Sequence, residues 1–136
     1  MNSKQKGFTL MELMVVIVIV AILAAVAVPL YVNYVKDAQR TEAKGAIGAV
    51  ITAEQTYFQL NGSYTTDTFV KNPNPPVNQA LNCDLTDALT NWTIVVTAAN
   101  ATGFTVLATG KQGTQTVNRS VQLVYSRLVA PVWTEL

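Results

Sequence analysis

Between Leu13 and Val32 the chain carries no charged residue. As a helix, a run of about 20 residues covers roughly 30 Å, the thickness of a bilayer's hydrocarbon core. Half of the chain is hydrophobic and only 12% is charged, and this apolarity is concentrated here rather than spread over an enlarged core. Lys4 and Lys6 lie before the run, so the positive-inside rule keeps the N-terminus cytoplasmic and sends the rest outward. A cleavable secretory signal ending at Ala24-Ala25-Val26-Ala27 does not fit, because the apolar run continues through Val28, Leu30, Tyr31 and Val32. Glu12 also stands where such a signal should be uninterrupted. An acid at the edge of a membrane segment demands a partner.

Composition removes whole classes of chemistry. No histidine is present, which eliminates the commonest general base and metal ligand, so hydrolytic triads and histidine metal sites are excluded. Cys83 is a single cysteine and forms no intrachain disulfide; without a histidine to activate it, it reads as a small buried hydrophobe. The net charge of +1 supplies no basic field for non-specific DNA binding, so any DNA contact has to be local. Asp84 and Asp87 form only a weak calcium pattern. No metal ion or cofactor is expected.

The segment Lys6-Gly7-Phe8-Thr9-Leu10-Met11-Glu12-Leu13 resembles the prepilin cleavage and methylation motif of type IV pilins and pseudopilins. The likeness continues through Ala24-Ala25-Val26-Ala27-Val28-Pro29 and Tyr31 to Tyr34, about the first quarter of the chain. It implies cleavage after Gly7 by a prepilin peptidase, N-methylation of the new terminus Phe8, and ATP-driven extraction of the mature subunit into a helical fibre. Two departures stand out. Ala21 replaces a glycine frequent in the family, which throws local helix melting onto Pro29, and a C-terminal disulfide cannot form.

The physical chemistry of those residues agrees with the resemblance. Glycine before the cut lets the backbone lie extended in a protease, and the cut creates a cationic amine on Phe8. Glu12 lies one helical turn on, over the positive helix end of its own chain and within reach of the Phe8 amine of a neighbouring subunit. In a low-dielectric fibre core, either charge left alone costs several kcal/mol, so the pair would set register during assembly.

The expected organisation is a leader over 1–7, a membrane-spanning assembly helix over 8–35, and a globular head over 36–136. From Phe8 to about Leu60 only Pro29, Gly45 and Gly48 interrupt good helix formers, so one long helix kinked at Pro29 is expected. Gly45 and Gly48 either permit close packing or weaken the helix. Over 36–60, Ala43, Ile47, Val50, Ile51, Tyr57 and Phe58 recur at three- and four-residue spacing, opposite Asp37, Arg40, Lys44 and Gln55. A loop is expected over 61–90, including the proline-rich residues 71–79. Alternating runs at Trp92–Thr97, Phe104–Thr109 and Val121–Ser126, with a short strand at Thr114–Val117, predict a three- to four-stranded antiparallel sheet over 91–136. Leu128–Leu136 is either held by packing or by subunit contacts, or it moves. The fold class is α+β, a pilin-like helix on a sheet.

The resemblance points to a non-enzymatic subunit of a type IV pilus that homopolymerises for adhesion, surface motility or DNA uptake. A pseudopilin of type II secretion or a minor pilin shares the same motif. A membrane-tethered enzyme or binding domain would need a ligand constellation that the head lacks. The expected partners are the prepilin peptidase/methyltransferase, the inner-membrane assembly machinery, the membrane before assembly, and DNA or a surface. The subunit would move from the bacterial inner membrane, single pass with its head periplasmic, to an extracellular pilus.

Overall fold

The structure is a computed structural model, and it describes residues 7–69 and 80–135. The leader up to residue 6 and the proline-rich 71–79 lie outside the described residues. The chain divides into two compact units, Met1–Asp37 and Ala38–Leu136. One helix, α1 (Leu10–Asn61, 52 residues), supplies the backbone of the first and the packing face of the second. It runs through Pro29, Gly45 and Gly48 without a break. A Cβ on Gly45 or Gly48 would meet no atom within 4 Å, so neither glycine serves close packing among the described residues. The helix ends where predicted: Gly62 takes φ +74 and its N–H donates to the Phe58 carbonyl at 2.8 Å, closing the last turn as glycine does best.

The head carries five antiparallel strands in the order β1-β2-β3-β4-β5: β1 Thr68–Phe69, β2 Trp92–Ala99, β3 Gly103–Gly110, β4 Ser120–Ser126 and β5 Val132–Glu135. The three predicted alternating runs are the three central strands. Trp92, Ile94 and Val96 point inward with Phe104, Val106, Ala108, Val121 and Leu123, against Ala43, Ala46, Ile47 and Val50 of α1. Leu81, Leu85 and Leu89, from the segment leading into β2, complete this core.

The sheet is wider than the three to four strands expected, and one strand sits elsewhere. Thr114–Val117 is a turn, because Thr116 is buried and donates its hydroxyl to the Asn91 carbonyl at 2.6 Å. That turn passes so close that a Cβ on Gly110 would lie 1.7 Å from the Thr116 carbonyl oxygen; only glycine fits. The added strands are the edges. β1 lies within the expected loop, and its short pairing is Thr68 with Val95 and Phe69 with Ile94. β5 is the C-terminal segment itself, paired from Val121 opposite Glu135 to Val124 opposite Val132. Contacts with α1 accompany this pairing: Glu135 bridges Lys44 at 2.5 Å and Arg40 at 3.5 Å, and Lys44 lies over the Trp133 ring at 5.9 Å.

Candidate assembly site

The helix begins with a reciprocal cap. Thr9 precedes the first helical residue, Leu10, and Glu12 is the third residue of the helix. The Thr9 N–H and the Thr9 hydroxyl both donate to Glu12 Oε2 at 2.8 Å, while the Glu12 N–H donates to Thr9 Oγ1 at 3.2 Å. Such a box satisfies backbone donors that the first turn would leave orphaned. The described partners of Glu12 are thus on Thr9, within its own chain. Beyond the helix end of its own chain and the Phe8 amine of a neighbour expected from the sequence, Glu12 therefore has Thr9 as a partner, and the Thr-x-x-Glu spacing is the signal for it.

Gly7 and Phe8 stand ahead of the helix, in irregular backbone. Phe8 is 85% exposed and a Cβ on Gly7 would meet nothing within 4 Å. The junction is therefore open on the chain's own side. Every described residue from Gly7 to Tyr34 is exposed, although nearly all from Leu10 to Val32 are apolar. This helix is long and apolar enough to cross a membrane. Pro29 lies in its exposed part, in continuous helix.

Five of the described head cations have partners within the chain. Arg40 and Lys44 meet Glu135, Lys111 donates to the Leu89 carbonyl, Arg119 donates to Gln39, and Arg127 lies 4.5 Å over the Phe58 ring. Asp84 accepts from the N–H and hydroxyl of Thr86 at 3.0 and 2.6 Å, a local turn that holds its carboxyl below the usual range. Burial pushes the Cys83 thiol up, away from reactivity.

An exposed apolar half-helix, capped at Thr9 just after a glycine-phenylalanine junction and followed by a helix-on-sheet head, defines a type IV pilus subunit with a membrane-type anchor. The prokaryotic N-terminal methylation motif matches residues 2–28. The family described as type IV minor pilin ComP, DNA uptake sequence receptor, matches residues 29–119, about two thirds of the chain, and the chain belongs to it. The type IV pilus subunit protein TapA of Aeromonas hydrophila is 48% identical over 73 residues, 54% of this chain and 51% of that protein. The chain thus matches about half the length of that relative. No solved structure matches.

Proposed function

We propose that the chain is held in the bacterial inner membrane by its apolar half-helix, single pass with the head periplasmic, and then polymerises through that helix into an extracellular filament. The observation that carries this reading is the uncovered apolar surface from Leu10 to Tyr34. At ~25 cal/mol per Å² it is tolerable in lipid or among like helices and strongly unfavourable in water. A prepilin peptidase cuts between Gly7 and Phe8, and the new Phe8 amine is methylated. Removing the cationic leader matters physically, because Lys4 and Lys6 could not be buried beside neighbouring helices without partners.

Glu12 then has two competing acceptor roles. In its own chain it caps Thr9; during docking it meets the Phe8 amine of a neighbour and sets the register. Pro29, which removes one helical hydrogen bond, is where the helix bends and yields as subunits pack. The inner-membrane assembly machinery supplies the extraction work.

The test is to shear cells and weigh the fibre subunit intact. The expected chain begins at Phe8 and has a side-chain charge of −1, from 7 basic and 8 acidic residues, against +1 for the precursor. A fibre subunit that retains Met1 to Gly7 would overturn the assignment. Long fibres dominated by this chain would indicate a major pilin, whereas trace amounts at native expression favour a minor pilin or a pseudopilin.

The family description favours one second reading, a minor pilin that captures DNA. Because five of the described head cations are engaged within the chain, capture would have to be local, and it would weaken with added salt in proportion to the few phosphates contacted. Binding of duplex DNA with no salt dependence, or no binding at low salt, would rule it out.

A further inference from the structure

Glu54 lies on the buried stripe of α1 with Ala43, Ile47 and Val50 and has no exposed surface (0%). Its Oε2 accepts the Thr65 N–H at 3.2 Å. Its Oε1 is buried with no hydrogen-bond partner among the described residues. A second carboxylate stands nearby: Asp67 accepts from the N–H groups of Thr68 at 2.7 Å and Leu81 at 3.0 Å, and its charge opposes ionisation of Glu54. The same stretch joins the helix to the sheet, through Tyr64 N–H to the Asn100 carbonyl and Val96 N–H to the Asp67 carbonyl.

We propose that Glu54 is a proton-operated latch on this helix-to-sheet junction, closed when the buried carboxyl is neutral and loosened when it ionises beside Asp67. One backbone N–H does not offset the loss of solvation of a buried charge, whereas a neutral acid in the same place leaves only a hydroxyl underused. Asp67 and Tyr64 lie on the segment after the helix, and Tyr125 on β4 meets the Tyr64 ring edge-on at 6.0 Å; Arg127 lies just beyond β4. Arg127 is engaged over Phe58 and makes no ion pair with Glu54 among the described residues. Burial, then the Asp67 charge, push the Glu54 carboxyl up to about 7, against the opposing effect of the Thr65 N–H.

The sign follows directly. A folded-state value above the ordinary 4.5 gives stability that is fully present below pH 4.5 and is lost as pH rises through about 7. The chain has no histidine, so no unperturbed side chain titrates across that window. A head displayed outside the cell would therefore tighten in acid, and this is independent of whether the subunit assembles.

The experiment is thermal unfolding of the full chain in detergent micelles from pH 5 to 8, for wild type and Glu54→Gln. Wild-type Tm should fall by at least ~5 °C as pH rises, and Glu54→Gln should be level across the range. A level wild-type profile, or a slope surviving in the variant, would overturn the latch. Should Glu54→Gln not fold, a carbon-13 NMR titration of the Glu54 carboxyl in wild type decides. A midpoint near 7, lowered in Asp67→Asn, supports the proposal; an ordinary glutamate midpoint refutes it.

Discussion

The two parts of α1 have the same backbone and opposite fates. From Ala38 onward the helix buries a stripe of Ala43, Ala46, Ile47, Val50 and Glu54 against its own chain. From Leu10 to Tyr34 it buries nothing, although it is by far the more apolar of the two. The difference teaches that hydrophobicity alone does not place a residue in a core. The head half has apolar residues on one face and finds a sheet to cover them, whereas the N-terminal half is apolar all round, which suits lipid or a bundle of identical helices. Stability of the head is thus a property of one chain, and burial of the other half is a property of its surroundings.

Substitutions should separate these two kinds of burial. The largest effect is expected from Trp92→Ala, at a site with no exposed surface. Removing that side chain should cost about 3–5 kcal/mol of head stability, seen in thermal unfolding, while membrane insertion is unchanged. Val18→Arg should do the reverse. A cation near the centre of the apolar half costs about 2.5–3.5 kcal/mol on insertion scales, so membrane fractionation should show the loss while the head's unfolding midpoint stays put.

Glu12→Gln is subtler, because it keeps size and leaves an amide oxygen for the Thr9 N–H. Insertion and cleavage should be normal and fibre yield low, with a Gly7 variant blocked in cleavage as the control. Wild-type fibre yield from Glu12→Gln as sole pilin would leave register to hydrophobic packing alone. The smallest effect belongs to Glu135→Gln on the exposed β5, where solvent screens the pair with Lys44. Lys44, followed by Arg40, holds the Glu135 carboxyl below its ordinary range. Its modest contribution is present above the ordinary glutamate value and lost as pH falls through the depressed one; hydrogen exchange of Val132–Glu135 should rise there in wild type and be raised throughout in the variant.

What could be read in advance follows the same division. Periodicity marked the head half of the helix, the three central strands and their inward faces, because burial on one side imprints a period of 3.6 or 2; the N-terminal half was legible from its unbroken apolar run. The edge strands left little imprint. β1 has two residues, and β5 is exposed along its length, so neither needs an alternating pattern. Thr114–Val117 alternates by composition yet turns, since Thr116 spends its hydroxyl on Asn91. In the candidate assembly site, Gly7, Phe8 and Glu12 stand out in the sequence through the motif they form, whereas the part of Thr9 lies in its hydrogen bonds to Glu12, which a Thr-x-x-Glu spacing signals without any charge on Thr9. Glu54 was hidden among polar neighbours, although it follows Ala43, Ile47 and Val50 at helical spacing on the buried stripe.

The central claim is that the half-helix from Leu10 to Tyr34 is covered by its counterparts in neighbouring subunits. In a Cys83→Ser background the chain has no other thiol, so single cysteines scanned through residues 13–32 and treated with a short bifunctional cross-linker in sheared fibres report helix-to-helix contact alone. The account predicts covalent dimers and higher ladders at several of these positions, and none when cysteine replaces the exposed Thr97 on the head. Intact fibres in which no position from 13 to 32 cross-links would contradict it.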